Sequence, residues 1–371
     1  MTIDNKALRY LLDPYLDWCG GENIPIVEAI GLDLFKVETM PWPRLGKDVR
    51  GAFVHLGGRG DFVSLQVIDL PPGGRTEPMR HLFDEVFFIL SGHGSTSVEI
   101  AVDKTVNFEW GPRSLFSPPL NARYALFNGS GIEPARVICG SNLPFAMNFF
   151  RNERFLFDNQ RDFPERVGAA NHYSGEGEFL GLAPGKHMWE TNFVTDLVDF
   201  ALPEWEERGT GSRNIKIILA DNAMHTHVSE MPVGAYKKGH RHGAGAHVFA
   251  LTGTGYTLLW REDSDFERQE WHFGYVFAPP DGVFHQHFNT GRDSARYLAV
   301  SLGSHRYPIF DRKVRRKNAP NLTLREGGSE IAYSDQDPRI HRLWLDELAA
   351  KDISSKMGRH FDEDAIRGER A

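Results

Sequence analysis

Residues 234–255, GAYKKGHRHGAGAHVFALTGTG, align without a gap with residues 73–94, GGRTEPMRHLFDEVFFILSGHG, when the chain is shifted by 161 positions. The same register continues to residue 128, beyond any length that chance matching explains. It pairs the following residues: Gly73 with Gly234, His81 with His242, Gly92 with Gly253, Glu109-Trp110 with Glu270-Trp271, Pro118-Pro119 with Pro279-Pro280, and Phe127-Asn128 with Phe288-Asn289. The chain therefore contains two homologous units in tandem.

Each unit is rich in short apolar runs that Gly and Pro interrupt, such as FVSLQVIDL at 62–70 and NIKIILA at 214–220. Such runs predict an all-β architecture of sandwiches or barrels. Helical spacing of Leu, Ile and Trp occurs only near the ends, at 5–18 and 338–351. The sequence predicts the following organisation: a helical arm at 1–45, a first barrel at 46–150, connecting straps at 151–195, a second barrel at 196–305, and a C-terminal tail with a helix at 306–371.

The second unit carries two spaced motifs. Gly234, His240, His242 and Gly253 follow the pattern G-x5-H-x-H-x3/4-E-x6-G, apart from its glutamate. The pattern G-x5-P-x-G-x2-H-x3-N is complete at Gly274, Pro280, Gly282, His285 and Asn289. These are the two motifs of the cupin superfamily, and the whole chain resembles a bicupin. The resemblance implies two tandem jelly-roll barrels, with a metal ion held inside the second by residues of both motifs.

His240, His242 and His285 offer three imidazoles from two strands, a set that suits Fe, Mn, Ni, Cu or Zn. The position of the missing glutamate is open. A gapless register with Glu85 places Ala246 there, whereas the longer spacing places His247 there. The first alternative is a three-histidine site and the second is a four-histidine site. His247 and Tyr236 are the candidate catalytic acid or base residues.

Other histidines near the motifs have weaker claims to the metal. His287 shares a strand face with His285 and is expected to line the cavity. His225 and His227 form a second His-x-His pair, which is interpreted as part of a pocket wall or of a hydrogen-bonded outer face rather than as metal ligands. Arg241 alternates with the inward-facing ligands, so it is expected to point outward.

The first unit has lost most of the pattern. At the ligand positions it carries Met79, His81, Glu85 and Tyr124, and Met suits soft ions whereas Glu suits hard ones. We expect these side chains to face the interior, to pair with one another or with water, and to hold no metal. The first barrel is therefore interpreted as structural.

Three neutral imidazoles leave a divalent ion with its full charge, which favours a small, oxygenated, anionic substrate that binds through two atoms, aromatic acids and diketones among them. Cupins with three histidines include Fe(II)-dependent dioxygenases, and this is the function that the resemblance favours. The alternatives are a Zn-, Mn- or Ni-dependent isomerase, hydrolase or lyase, and a non-catalytic bicupin that binds a small ligand.

Composition excludes other classes. The net charge is −8 without a long basic block, which argues against nucleic acid as a partner. No apolar run reaches the length of a membrane span, and the first residues do not resemble a signal peptide. Two distant cysteines, Cys19 and Cys139, are typical of a reduced, cytoplasmic protein. The long amphipathic ends predict a homodimer.

Overall fold

The structure is a computed structural model that describes residues 12–59, 62–183, 186–243, 245–262, 264–304, 306–307 and 322–368. Strands dominate in both halves, and the fold is two tandem jelly-roll barrels, as the sequence predicts. The part of the chain that is described contains no helix long and apolar enough to cross a membrane.

The first barrel consists of a large sheet and a three-stranded sheet. The large sheet has the order β1-β4-β5-β11-β6-β9-β14 with β3 paired to β4, and the small sheet has the order β10-β7-β8. The strands are β1 Ile26–Ala29, β3 Met40–Pro41, β4 Arg50–Leu56, β5 Ser64–Leu70, β6 Glu85–Ser91, β7 Gly94–Ala101, β8 Lys104–Trp110, β9 Leu115–Phe116, β10 Arg123–Asn128 and β11 Ala135–Ser141, with β14 Phe193–Val194 added from further along the chain. Strand β2 Gly31–Asp33 lies between β1 and β3 in sequence but belongs to the second barrel.

The second barrel repeats this plan. Its large sheet has the order β12-β13-β15-β16-β22-β17-β20-β2, and its small sheet has the order β19-β18-β21. The strands are β12 Glu178–Ala183, β13 Lys186–Thr191, β15 Arg213–Leu219, β16 Met224–Met231, β17 His247–Thr252, β18 Gly255–Trp260, β19 Glu267–Trp271, β20 Tyr275–Phe277, β21 Phe284–Asn289 and β22 Ala295–Leu302.

The two large sheets pack face to face and bury one continuous apolar core between the barrels. Alternate residues of β6 and β17, such as Phe88 and Phe249, belong to this core, with ring centroids 5.8 Å apart. The barrels also exchange edge strands, because β2 from the N-terminal part pairs with β20 and β14 pairs with β9. These additions cover strand edges that would otherwise be unpaired.

The helices are α1 Pro14–Gly21, α2 Leu143–Phe150, α3 Glu153–Phe157, α4 Pro338–Ala350 and α5 Glu363–Gly368. The predicted C-terminal helix coincides with α4, whose buried Trp344 packs against the second barrel. The segment 1–45, predicted as a helical arm, also contains strands, because β1 to β3 lie between residues 26 and 41. Helix also occurs in mid-chain, as α2 and α3. The predicted helix at 5–18 is described only from residue 12 onward, and residues 1–11 lie outside the described part.

Candidate metal centre

The structure brings His240, His242 and His285 together at one end of the second barrel. Their nearest ring nitrogens all lie within 4.8 Å of one another. His240 and His285 face each other across the barrel wall, with reciprocal backbone hydrogen bonds of 3.0 and 2.8 Å. His242 lies at the exposed rim, and the carbonyl oxygen of His242 accepts a hydrogen bond from the amide of Gly282. Gly282 has φ +69°, a backbone conformation that favours glycine, and so closes the turn before β21.

The rings of His240 and His285 are suited to metal binding because they stay neutral. Burial is the main cause that lowers the pKa of His240 and of His285 well below the usual value, so both keep a free lone pair at pH 7. Nδ1 of His285 lies 3.3 Å from the carbonyl of Val283, and Nδ1 of His242 lies 3.3 Å from that of Gly243. This leaves Nε2 of His242 and of His285 for a ligand, the orientation that metal-binding histidines usually adopt.

Tyr236 does not face the site, contrary to the sequence prediction. Its hydroxyl lies 2.9 Å from Nδ1 of His341 and accepts a hydrogen bond from Gln336, and its ring packs on Trp344. The cause is an irregular pairing between residues 236–240 and strand β21. Tyr236 pairs with Phe288, and His240 pairs with His285. The chain therefore advances four residues from Tyr236 to His240 but only three from His285 to Phe288. This extra residue is a bulge, and it turns the side chains of Tyr236 and His240 to opposite faces of the sheet.

His247 is also absent from the site, so its predicted roles as a fourth ligand and as a catalytic residue are wrong. Strand β17 turns Ala246, Val248 and Ala250 toward the barrel interior, whereas Phe249 and Leu251 belong to the core between the barrels. His247 shares the second face and is fully buried there. Ala246 thus occupies the place of the family's glutamate, and the three-histidine alternative is the one that the fold produces.

The sequence analysis did not identify two candidate acid–base residues. Lys237 and Tyr297 meet inside the second barrel, where Nζ of Lys237 donates a hydrogen bond of 3.1 Å to the hydroxyl of Tyr297. Burial is the main cause that lowers the pKa of Lys237. The Tyr297 pKa is also lowered: burial acts to raise it, but the charge of Lys237 together with hydrogen bonds outweighs that effect. The signal for Tyr297 was its alternation with the small residues Ala295 and Ala299 along β22.

The remaining histidines connect this pair to the cluster. The ring of His287 lies 5.5 Å from that of His285 and 5.2 Å from that of Tyr297, and its Nδ1 is 2.9 Å from the hydroxyl of Thr257. The ring centre of His227 lies 6.0 Å from that of Tyr297, and Nδ1 of His227 is hydrogen-bonded to Nε2 of His225. His227 therefore lies beside Tyr297 in the interior, which fits the pocket-wall alternative for this residue.

Positive charge concentrates around this interior. Arg208 lies close enough to lower the pKa of His240, His287 and Lys237, although it forms an ion pair of 2.9 Å with the buried Glu330. Lys238 binds the same Glu330 from the outside. Arg241 points outward, as expected, and contacts Glu262 at 2.9 Å.

In the first barrel, the degenerate positions pair with one another, as predicted. Nε2 of His81 lies 2.9 Å from the Glu85 carboxylate, and the hydroxyl of Tyr124 donates a hydrogen bond to the same carboxylate oxygen. All three side chains and Met79 line one cavity.

No family model and no curated protein sequence matches the chain. Among solved structures, the chain is similar to oxalate decarboxylase of Bacillus subtilis. A structure concerned with the Mn(II) centres of that enzyme shows 14% identity and a TM-score of 0.47, over 75% of this chain and 78% of that chain. A single-residue variant of the same enzyme shows 13% identity and a TM-score of 0.47, over 80% and 85%. The tandem jelly-roll barrels, with both motifs meeting in the second, give this chain the architecture of a bicupin.

Proposed function

We propose that the second barrel is the active site of a metal-dependent enzyme that transfers a proton on a small, oxygen-rich, anionic substrate. The observation that carries the proposal is the buried Lys237–Tyr297 pair, which shares one barrel interior with the cluster of His240, His242 and His285. Perturbed acid and base groups beside a metal-binding cluster are typical of catalytic sites.

The residues of the cluster suit a divalent transition metal, since three neutral imidazoles on two strands form a common ligand set. When bound, such an ion supplies Lewis-acid polarisation of substrate oxygen atoms or, if it is iron, reaction of the substrate with dioxygen. No carboxylate of the described chain joins the cluster to offset the charge of the ion. This uncompensated charge favours a bidentate anion such as a hydroxy acid, dicarboxylate or enolate.

The Lys237–Tyr297 pair supplies the proton transfer. Both groups have lowered pKa values: protonated Lys237 makes the phenol of Tyr297 a better acid, and burial makes Lys237 release its own proton more readily near neutral pH. Because the two groups are hydrogen-bonded, a proton taken from the substrate by one is available for return from the other. Isomerases and lyases use such a pair, and this class is our first candidate.

An Fe(II)-dependent dioxygenase is the second candidate. The observation that favours it is Ala246 at the place of the family's glutamate, because a small apolar residue there leaves room beside the three imidazoles for both a bidentate substrate and a second small molecule.

Metal analysis tests the binding site. We expect about one transition-metal ion per chain in the purified protein, and loss of that ion in His240→Ala and in His285→Ala while both chains stay folded. His272→Ala is the matched control, since His272 is an exposed histidine of the same barrel. Full metal retention in both cluster variants would disprove the assignment.

Turnover with and without oxygen separates the two candidates. A panel of hydroxy acids, dicarboxylates, β-diketones and catechols is assayed with oxygen uptake monitored. The first candidate predicts anaerobic turnover that Tyr297→Phe and Lys237→Met reduce by at least about 100-fold, the usual contribution of a general acid or base. Strict dependence on oxygen, with little effect of Tyr297→Phe, would favour the dioxygenase instead.

A further inference from the structure

Three neighbouring helices carry five large apolar side chains that are exposed to solvent. They are Leu12 just before α1, Leu16 on α1, Phe149 and Phe150 on α2, and Phe155 on α3, with exposed fractions of 77%, 37%, 65%, 47% and 41%. We call these five residues the apolar patch. Soluble monomers rarely expose a contiguous apolar area of more than a few hundred square ångströms, and a larger one usually marks a contact surface.

The patch is continuous, and its side chains hold one another in place. The ring centres of Phe149 and Phe150 lie 5.1 Å apart, and those of Phe150 and Phe155 lie 4.9 Å apart. Asn148 of α2 donates a hydrogen bond of 3.1 Å to Asp13, the N-cap of α1, so the two helices hold their parts of the patch side by side. A surface that is already ordered loses little conformational entropy when a partner covers it.

The exposed area of the patch is large enough for the centre of a dimer contact. A phenylalanine side chain can bury about 200 Å², so the exposed parts of the three rings amount to about 300 Å². A stable contact of standard size buries about 800 Å² on each partner and has an apolar centre and a polar rim. The three rings therefore supply more than a third of the area that each partner needs, and Leu12 and Leu16 add to it.

Two opposite charges flank the patch. Asp17 follows Leu16 on α1, and Arg151 follows Phe150 at the C-terminal end of α2. Both side chains are exposed, and neither forms an ion pair with another residue in the described part of the chain. In a contact with twofold symmetry both copies present the same surface, so Asp17 of each copy can meet Arg151 of the other. The patch and its flanks are thus complementary to a second copy of themselves.

From this surface we propose that two copies of the chain form a twofold dimer through the apolar patch of helices α1, α2 and α3. The phenylalanine rings of the two copies cover one another at the centre of the contact, and two Asp17–Arg151 ion pairs form at its rim. The three helices pack against the core of the first barrel, whereas the histidine cluster belongs to the second barrel. The dimer therefore forms with or without a bound metal.

Sedimentation equilibrium of the full chain at a series of protein concentrations measures the dissociation constant of the dimer. Phe149→Asp should raise this constant at least about 30-fold, because a charge replaces a ring at the centre of the contact in both copies. Asp17→Arg and Arg151→Asp should each raise it about tenfold, because each substitution brings like charges together twice. The double variant Asp17→Arg/Arg151→Asp should return it to within about threefold of the wild-type value, because the exchanged charges pair again.

Two controls test whether the patch, and a second copy, are responsible. Phe179→Asp is the matched control, because Phe179 is 52% exposed on strand β12 of the second barrel, and its dimer should be as stable as that of the wild type. Residues 1–11 directly precede the patch and are the alternative occupant, so the variant Ile3→Asp/Leu8→Asp should also dimerise as the wild type does. Circular dichroism checks that each variant is folded.

Four results would overturn the proposal. The first is a wild-type chain that is monomeric at micromolar concentration. The second is a dimer that Phe179→Asp weakens as much as Phe149→Asp does. The third is a charge exchange at Asp17 and Arg151 that restores nothing. The fourth is dissociation of the dimer by Ile3→Asp/Leu8→Asp, which would assign the patch to residues 1–11.

Discussion

Replacing His247 by Leu should make the protein less sensitive to acid without removing the metal. His247 is fully buried between the barrels, and neither of its ring nitrogens has a hydrogen-bond partner in the described chain. Burial lowers its pKa from 6.5 to about 3. Leu is close to His in size and has no polar atom, so the substitution removes the titrating group with little change in packing.

The magnitude follows from the two pKa values. A group whose pKa is lower in the folded state stabilises that state fully above its unfolded pKa, here 6.5, and the contribution is lost as the pH falls toward 3. Each pH unit within this window costs about 1.4 kcal/mol, so His247 removes about 3 kcal/mol from the free energy of unfolding between pH 7 and pH 4. The variant should lose about 3 kcal/mol less than the wild type over the same range.

Urea unfolding of metal-free protein at both pH values, followed by tryptophan fluorescence, measures this difference. His287, another buried histidine with a pKa of about 3, titrates in both proteins, so its contribution cancels in the comparison. His272→Leu, at an exposed position, is the control and should behave as the wild type. An identical loss of stability in His247→Leu and the wild type would refute the assignment of the pKa. Loss of metal by His247→Leu would show that His247 is a ligand after all.

Three further predictions concern stability and assembly. Arg296 is buried and donates hydrogen bonds to Glu230 and to three backbone carbonyls. Arg296→Met should therefore lower the free energy of unfolding by about 3–5 kcal/mol, and the loss should be smaller in the double variant with Glu230→Gln. Trp344→Ala should cost about 3–5 kcal/mol and expose helix α4 to limited proteolysis; an unchanged urea midpoint would contradict either prediction. The chain should be a homodimer, and a monomer by light scattering at micromolar concentration would contradict this.

The sequence by itself determined the duplication, the barrel class and the three imidazoles of the cluster. These features follow from residue types that recur at fixed spacing in the sequence. The spacing is fixed because short turns, whose conformation depends on local residues, separate the strands. Gly282, for example, sits at a left-handed φ immediately before the strand that carries His285. His240 and His285 could be predicted as neighbours because both motifs are anchored by turns of this kind.

The tertiary structure decided which face each remaining side chain occupies. Tyr236 and His240 lie four residues apart, a spacing that puts both side chains on one face of a regular strand, yet Tyr236 packs under helix α4 whereas His240 joins the histidine cluster. The irregular pairing between Tyr236 and His240 produces this outcome, and it depends on the partner strand β21. The face of His247 likewise depends on the start of β17 and its register with β22. Register is a property of two strands together, so no single stretch of sequence contains it.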